Sequence, residues 1–443
     1  MTSADQSNDS ALTPSQLDLG LIPIGARRAR PSLAPEGQTH RIAALFAGIG
    51  GIELGMHRAG HSTRLFCEND PSALAVLRAR FEDSSGHGPH FHEDVVSLAE
   101  LPRETTLVTA GFPCQDLSQA GATKGIAGAR SGLVGEVFRL IRNQNVPWIL
   151  LENVPFMLQL ARGEAMNVIA TAFEELGYRW AYRVVDSRAF GLPQRRRRVY
   201  LVASNYGDPR TILFADEAGA PAEPEVNGQP VACGFYWTEG LRGLGWAVDA
   251  VPTLKGGSSI GIPSPPAILM PDRTVVTPDI VDAERLQGFP QNWTRPATGV
   301  SRGSTRWKLV GNAVSVRAAA WIGRRMRRPG LPAQFETSPQ RDHRRWPTAA
   351  WNVGNGREHV VASEWPVRRH YVSLAPMLTE RKLRSLSEKA TSGFLSRAAN
   401  AKLRFPGGFI QALTEHRARM VSAGSSKLRK NATKKKASRR AQN

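Results

Sequence analysis

The chain has 443 residues, of which 41% are hydrophobic and 22% charged, a composition typical of folded globular domains. No stretch approaches the roughly 20 continuous apolar residues of a membrane span, and the polar N-terminus lacks the basic start and apolar run of a secretory signal. We therefore expect a cytoplasmic protein with no membrane partner. Three cysteines, no two of them at metal-ligand spacing, argue against a disulfide framework, and we predict no metal site.

The formal net charge of +20 is concentrated at the C-terminal end. Residues 324–443 contain 27 Lys and Arg against 7 Asp and Glu, whereas the residues before them contain 31 of each. Such asymmetry indicates a polyanionic partner, most often a nucleic acid. A solvated basic tail without a specific role is the alternative.

Residues 1–39 show little hydrophobic periodicity, and we predict a mostly disordered lead segment there. From residue 41 onward, short apolar runs alternate with segments of helical spacing. The runs typical of buried strands are Arg41–Phe46, Thr63–Cys67, Thr106–Ala110, Pro147–Leu151 and Arg198–Ala203. Helical spacing is clearest over 133–141 and 166–176. This alternation predicts an α/β fold with a doubly wound, mostly parallel sheet, in which ligands bind at the carboxyl ends of the strands.

The alternation stops after residue 203. Residues 204–282 are rich in Gly and Pro with a few clustered aromatic side chains, which predicts a small irregular lobe. Helical texture resumes over 282–287, and residues 312–326 have the spacing of one amphipathic helix, so 283–328 return to the domain formed by 40–203. Residues 329–443 then form a basic extension, partly disordered, with one short helix over 378–390.

A glycine turn, Phe46-Ala-Gly48-Ile-Gly50-Gly51, follows the first predicted strand. Glycines let the backbone approach a ligand, and the N-terminus of the following helix is electropositive. Glu68 lies 20 residues after Gly48, at the end of the next strand, where an acidic residue can bind ribose hydroxyls. The combination favours an adenosine-type cofactor without a heavy phosphate load. A tight turn between a strand and a helix is the alternative.

Reactive side chains follow two further apolar runs, and an arginine-rich segment precedes a third. Cys114 comes after a buried strand and a stiffening proline, and there it could act as a nucleophile if nearby cations lower its pKa. We interpret Cys67 and Cys233 as buried structural thiols. Glu152 either caps the next helix or is a partly buried acid able to transfer a proton. The arginine-rich run 194–198 either contributes to solubility, contacts phosphate, or supplies cations to such a site.

Six blocks occur in one order: Phe46–Gly51, Pro113–Gln115, Glu152–Val154, Gln194-x-Arg196-x-Arg198, Arg285–Pro290 and Gly311–Val314. With these blocks the chain resembles the prokaryotic DNA (cytosine-5)-methyltransferases over about residues 41–323. The resemblance implies the S-adenosylmethionine-dependent methyltransferase fold. It also makes 40–203 and 283–328 the catalytic and cofactor-binding domain, and 204–282 the target-recognition region.

The resemblance also implies a mechanism. The thiolate of Cys114 would add to C6 of a cytosine flipped out of duplex DNA. Glu152 would hold and protonate N3, while Arg198, with Arg196 behind it, would orient Glu152 and hold the cytosine carbonyl. C5 would then take the methyl group of S-adenosylmethionine.

Ligand-binding positions follow from the same resemblance. Those implied for the cofactor are Phe46, Gly48, Gly50, Glu68, Asn69, Asp94, Val95, Pro113, Leu133, Asn312 and Val314. Those that we expect to contact DNA are Gln115, Ser118, Lys124, Arg130, Gln194, Arg242, Lys255 and Arg273. Of these, Arg242, Lys255 and Arg273 lie in the recognition region, which is short here and rich in glycine.

Three functions remain open. The first is methylation of duplex DNA, either as the modification partner of a restriction system, with a cognate endonuclease as a functional partner, or as a solitary methylase. The second is the same chemistry on RNA, whose readers favour splayed single-stranded bases. The third is a noncatalytic DNA-binding regulator, against which the intact Cys114, Glu152 and Arg198 argue. We expect a monomer.

Overall fold

The computed structural model describes residues 37–83, 88–112, 132–222, 231–257, 263–301, 304–340 and 345–423. The strands within these ranges are β1 (Arg41–Leu45), β2 (Ser62–Cys67), β3 (His90–His92), β4 (Leu107–Ala110), β5 (Trp148–Asn153), β6 (Arg179–Asp186), β7 (Gln194–Arg195), β8 (Arg197–Ser204), β9 (Cys233–Phe235), β10 (Trp246–Val248), β11 (Val251–Pro252), β12 (Ala267–Leu269), β13 (Val275–Thr277), β14 (Thr337–Pro339), β15 (Ala349–Asn352), β16 (Glu358–Val360) and β17 (Arg384–Ser385).

The α-helices within the same ranges are α1 (Gly51–Arg58), α2 (Pro71–Phe81), α3 (Leu133–Gln144), α4 (Glu164–Glu175), α5 (Arg210–Leu213), α6 (Ile280–Leu286), α7 (Thr305–Asn312), α8 (Val316–Arg327), α9 (Leu374–Met377), α10 (Glu388–Ala399) and α11 (409–423). Short 3₁₀ helices occupy Pro155–Leu158, Leu160–Gly163, Ser187–Phe190, Leu241–Gly243, Arg295–Gly299 and Glu380–Lys382. None of the helices in the described ranges has both the length and the apolar character needed to cross a membrane.

The main sheet has ten strands in the order β14-β16-β15-β6-β8-β5-β4-β1-β2-β3. Strands β3, β2, β1, β4 and β5 are parallel, as their apolar runs and intervening helices predict. From β5 onward every neighbouring pair is antiparallel. The α/β class is therefore confirmed, but the sheet is mixed rather than mostly parallel. The reason is that β6 reaches its neighbour β8 through a short connection, without the crossover helix that a parallel pair needs.

Helices cover both faces of the main sheet. Buried side chains of α3 and α4 pack against one face, and those of α1 and α8 pack against the other. The α1–α8 contact is close, because a Cβ atom on Gly55 would lie 2.6 Å from the Cβ atom of Ala319. A doubly wound core of this kind leaves the carboxyl ends of the parallel strands open at one edge.

The prediction of one helix over 312–326 is wrong. Helix α7 ends at Asn312, the backbone is extended at Ala313 and Ser315, and α8 begins at Val316. The apolar spacing continues across the break, so periodicity alone does not reveal it. Because of this break, Asn312 at the end of α7 and Val314 in the turn that follows both line the cavity described below.

A second sheet, β10-β9-β12-β13-β17, forms a smaller lobe. Its last strand comes from the C-terminal extension, since β17 pairs antiparallel with β13. Side chains of 386–413 fill the core beneath β9, among them Phe394 and Phe409 against Phe235. The described part of residues 329–443 is thus built into both sheets, because β14, β15 and β16 extend the main sheet. The helix predicted over 378–390 is also wrong, since α10 spans Glu388–Ala399.

Candidate active site

A cavity of about 560 Å³ opens at the carboxyl ends of β1, β2, β4 and β5. The helices α1 and α7 and the first residue of α3 complete its wall. Nine residues predicted from the sequence meet there: Phe46, Gly48, Glu68, Asn69, Leu133, Glu152, Arg198, Asn312 and Val314. These residues are up to 268 positions apart in the chain and form one site of the size that small ligands occupy.

The glycine turn forms one side of this cavity. Phe46, Gly48 and Gly50 all have positive φ angles, of 53°, 57° and 77°. A Cβ atom on Gly48 would meet nothing within 4 Å, so the backbone there borders open space. Gly50 serves a different purpose: its Cβ atom would lie 2.5 Å from the ring of Phe81, and Gly50 itself does not line the cavity. The turn therefore exposes backbone to a ligand at Gly48 and packs against α2 at Gly50.

Glu68 is held by backbone N–H groups on both of its carboxylate oxygens. Gly48 donates to Oε2 at 2.7 Å, and Asp70 donates to Oε1 at 2.8 Å. Burial nevertheless raises the pKa of Glu68, an effect that these hydrogen bonds oppose. The neighbouring Asp70 caps α2 through the N–H groups of Ser72 and Ala73, and it pairs with Lys308 at 2.9 Å. The carboxylate of Glu68 is thus fixed, with lone pairs left for ligand hydroxyls.

Glu152 and Arg198 form an ion pair on the wall of the same cavity. Nε of Arg198 lies 3.0 Å from Oε1 of Glu152, and both side chains are about nine-tenths buried. The pair arises because β5 and β8 are antiparallel neighbours with Glu152 opposite Tyr200 in the register. Burial raises the pKa of Glu152, while Arg198 and Arg196 act in the opposite direction. A buried carboxyl group with a raised pKa keeps its proton to a higher pH than a free one, and the paired cation orients it.

Comparison of the sequence with known proteins shows which family it matches. Residues 40–222 match the family described as C-5 cytosine-specific DNA methylase. The chain is 47% identical over 389 residues to the type II methyltransferase M2.BsuMI of Bacillus subtilis (strain 168), covering 84% of this chain and 97% of that protein.

The chain belongs to the C-5 cytosine-specific DNA methylase family.

Two further comparisons give lower similarity. The type II methyltransferase M1.ScrFI of Lactococcus lactis subsp. cremoris is 30% identical over an alignment of 347 positions, which covers 71% of this chain and 84% of that protein. A crystal structure of the S. pombe Dnmt2 methyltransferase is 15% identical, with a TM-score of 0.43, over 64% of this chain and 97% of that one. Family membership makes this chain a DNA (cytosine-5-)-methyltransferase and implies use of a methyl-donor cofactor.

Two polar residues of the arginine-rich run lie inside this methylase rather than on the cavity wall. Arg196 is 1% exposed and donates to the carbonyls of Leu254 at 3.1 Å, Gly311 at 3.2 Å and Ala313 at 2.5 Å. Within the described residues, no hydrogen bond or ion pair joins Arg196 to Glu152, although the charge of Arg196 still lowers the pKa of Glu152. Arg196 thus braces the turn that follows α7, whereas Arg198 forms the ion pair with the carboxylate.

Gln194, predicted to contact DNA, is completely buried. Its amide donates to the carbonyl of Leu286 at 2.9 Å and to Gln287 at 3.2 Å, and it accepts from the N–H of Leu254 at 3.0 Å. This burial contradicts the predicted DNA contact, because a fully buried side chain whose hydrogen bonds are all internal cannot reach a DNA surface. Its role is to join the recognition region to α6.

Asp94 and Val95, predicted from the resemblance as cofactor residues, do not line the cavity in the described structure. Val95 is 5% exposed and packs in the core with Leu65 and Cys67. Asp94 is exposed, and its carboxylate accepts from the N–H of Val96 at 2.9 Å. Both follow β3, so they lie near the end of β2 that carries Glu68.

The DNA-contact predictions in the recognition region have mixed outcomes. Lys255 is 3.1 Å from a carboxylate oxygen of Glu239, and its ammonium lies 4.2 Å from the ring centre of Tyr236. Arg273 forms a two-pronged ion pair with Glu415 of α11. Arg242 lies in the 3₁₀ helix Leu241–Gly243, and its side chain is outside the described structure. The cations of Lys255 and Arg273 are therefore already paired within the protein.

Six predicted residues lie outside the described residues: Pro113, Cys114, Gln115, Ser118, Lys124 and Arg130. The strand that leads to them is described, and Nδ2 of Asn153 donates to the carbonyl of Phe112 at 3.0 Å. This bond ties Phe112 to the strand that carries Glu152, a role for Asn153 that no sequence motif indicates. Cys67 and Cys233 are buried, which raises the pKa of each thiol to about 12 and keeps it protonated.

Proposed function

We propose that this methylase binds S-adenosylmethionine in the cavity and methylates C5 of a cytosine flipped out of duplex DNA, with Cys114 as nucleophile. The observation that carries the proposal is that the Glu152–Arg198 pair and the Gly48–Glu68 pair share one cavity wall. The first pair suits proton transfer to a base, and the second suits a ribose. A cavity with both can bring a methyl donor and a cytosine together.

The donor set fits the cofactor. Glu68 is oriented to accept the ribose hydroxyls, while the open backbone at Gly48 lets a ligand approach closely. Asn312 and Val314 would border the methionine part, on the turn that Arg196 braces. Bound there, S-adenosylmethionine supplies an electrophilic methyl group.

In the proposed reaction, the thiolate of Cys114 forms a bond to C6 of cytosine, and protonated Glu152 donates its proton to N3. The electron pair thus made available at C5 would form the new C–CH₃ bond as the bond between the methyl carbon and the sulfonium sulfur breaks, which would leave S-adenosylhomocysteine as the second product. A base then removes the C5 proton, the C6–S bond breaks, and N3 returns its proton to Glu152. The cysteine leaves as thiolate, so the enzyme is restored. Transient addition is needed because C5 of free cytosine is a poor nucleophile.

The test is to incubate the purified chain with methyl-labelled S-adenosylmethionine and mixed-sequence duplex DNA, then to digest the DNA and identify the labelled base. Cys114→Ser is the control for the covalent step, and a transfer RNA pool is the alternative substrate. We expect 5-methylcytosine in DNA with the wild type and none with the variant. Label in RNA alone would support the RNA alternative instead, and DNA binding without label in either would overturn catalysis.

The cellular role follows from the relatives, which are named type II methyltransferases. We propose that the chain is the modification enzyme of a restriction system in the cytoplasm, where a cognate endonuclease would share its recognition sequence without having to bind it. A solitary methylase is the alternative, and a monomer is sufficient for either. Bisulfite sequencing of DNA methylated by the enzyme would reveal one short sequence if this proposal is correct.

The smaller lobe is the proposed DNA-binding surface. Residues 384–423 complete its sheet and core, and they carry the exposed cations Arg384, Lys389, Lys402, Arg404 and Arg417. Residues 424–443 add eight Lys and Arg and no acid. Since α11 packs in this lobe and leads directly to that basic tail, we propose that both bind the phosphate backbone.

A further inference from the structure

Glu53 is a buried carboxylate in the cavity wall that the proposed reaction does not use. It lies in the first turn of α1, directly after the glycine turn, and is 1% exposed. Its Oε1 accepts a hydrogen bond of 2.7 Å from the hydroxyl of Thr109, on β4. Its Oε2 is buried and has no hydrogen-bond partner in the described structure.

A buried carboxylate oxygen without a hydrogen-bond partner needs a donor. Leaving a buried carboxylate oxygen unpaired is destabilising, because the oxygen has lost its hydrogen bonds to water and has gained none within the protein. Protonation does not solve the problem, because the resulting O–H group would itself need an acceptor. Burial raises the pKa of Glu53 to about 7, which is the response expected of a carboxylate without a cation beside it. A cationic donor entering from the cavity would satisfy Oε2 and favour its charged form.

The charges around the cavity also favour a cationic donor beside Glu53. Its described wall carries four acids, Glu53, Glu68, Asp70 and Glu152, against the cations Arg198 and Lys308. Each of these cations is already paired, Arg198 with Glu152 and Lys308 with Asp70. Glu68 has a backbone partner on each oxygen. Glu53 is therefore the acid of this wall that has a free acceptor atom and no cation.

We propose that Glu53 recognises the α-ammonium group of the methionine part of the cofactor, with Oε2 as the acceptor. This inference rests on the proposed cofactor site. The sulfonium centre of S-adenosylmethionine is also cationic, but it carries no N–H to donate, whereas the ammonium group has three. A hydrogen bond between two ionised groups is about twice as strong as a neutral one, so Glu53 would contribute to affinity as well as orientation.

The experiment measures binding of S-adenosylhomocysteine, which keeps the ammonium and lacks the sulfonium, by isothermal titration calorimetry. The second ligand is its analogue in which hydrogen replaces the α-amino group. In Glu53→Gln the amide can still accept from Thr109, but an NH₂ group replaces the acceptor Oε2. Glu68→Gln is the matched control, because its proposed contacts lie at the ribose and not at the ammonium.

We expect Glu53→Gln to weaken binding of S-adenosylhomocysteine about 10- to 100-fold. The deaminated analogue should bind the wild type and Glu53→Gln about equally. Glu68→Gln should weaken both ligands alike. A loss at Glu53→Gln that is the same for both ligands, or no loss at all, would overturn the inference and assign Oε2 to a buried water or to a purely structural role.

Two further outcomes distinguish a failure of the proposed Glu53 contact from a failure of the proposed cofactor site. If Glu53→Gln does not fold, the wild type alone still decides, because the analogue must bind it at least about tenfold more weakly than S-adenosylhomocysteine. If the wild type binds neither ligand, the cofactor site itself is wrong, and the inference is overturned with it.

Discussion

The guanidinium of Arg196 donates to the backbone carbonyl of Gly311, 115 positions further along the chain. Gly311 is the residue before Asn312, at the break between α7 and α8. The same guanidinium also donates to the carbonyl of Leu254, the residue before Lys255. One buried cation thus connects the backbone before Lys255, the turn at the cavity and the start of β8, which carries Arg198.

Replacing Arg196 with Lys is expected to lower the free energy of unfolding by about 2–4 kcal/mol. A lysine ammonium has no rigid fork that spans three carbonyls, so buried acceptors would lose their partner. Urea unfolding measures the loss. Arg195→Lys, next to it but exposed, is the control and should change stability by less than about 0.5 kcal/mol. Equal stability of the two variants would show that the hydrogen bonds of Arg196 do not stabilise the fold.

Alanine at either of two glycines of the same turn should lower stability, but to different extents and with different effects on the ligand. At Gly50 the new Cβ would meet Phe81, whose ring packs against Phe66 and Trp293 at centroid distances of 4.8 and 5.8 Å and has little freedom to move. Together with the positive φ angle, this overpacking should cost about 2–4 kcal/mol of stability.

Gly48→Ala should cost only the conformational strain, about 1–2 kcal/mol, because its Cβ meets nothing within 4 Å. It should instead weaken cofactor binding, since the added methyl group enters the cavity. Urea unfolding and calorimetric titration of both variants check the pair. Gly48→Ala with normal affinity would mean that the ligand does not approach the backbone at this turn.

The parallel half of the fold could be predicted because each of its strands is a buried apolar run followed by a helix, as at Arg41–Leu45. The smaller lobe could not, since strands such as Cys233–Phe235 have three residues and no readable period. Its core closes only when Phe394 and Phe409 arrive from more than 150 residues away. Tertiary contact of this kind leaves no local signal in the sequence.

The same distinction holds within the site. Glu152 and Arg198 could be predicted because blocks of neighbouring residues mark them. Glu53 could not, because a glutamate in the first turn of a helix is common where it interacts with the helix dipole. Only the structure shows that the side chain is buried against Thr109 instead. The DNA contact predicted for Gln194 is wrong for the opposite reason, since a polar residue in a basic run gives no sign that it is buried.

Glu53 should make stability depend on pH. The pKa of its carboxyl group is about 7 in the folded chain against an ordinary value of 4.5, so the folded state holds the proton more tightly than the unfolded state. The stability of the wild type relative to Glu53→Gln should therefore fall as pH rises from about 4.5 to about 7 and stay constant above that. The difference has an upper bound of roughly 3 kcal/mol.

Urea unfolding of the wild type and Glu53→Gln at pH 5 and pH 8, without cofactor, measures this difference. The comparison cancels the other titrating groups, which the two proteins share. A stability difference that does not change between the two pH values would show that the carboxyl group of Glu53 ionises normally in the folded chain.

Removing residues 424–443 should weaken DNA binding through the phosphate backbone alone. The segment carries eight cations and no acid, and each phosphate that the shortened chain no longer neutralises should reduce the slope of log affinity against log salt by about 0.9. Helix α11 and the core of the smaller lobe remain, so folding and sequence choice should be unchanged. Fluorescence anisotropy with duplex DNA between about 50 and 200 mM salt measures the slope.

Deletion of residues 1–36, whose three Arg and four acids nearly balance, is the control and should leave the salt slope unaltered. An unaltered slope in both deletions would make the tail an inert solvated segment and confine phosphate binding by the extension to residues 384–423.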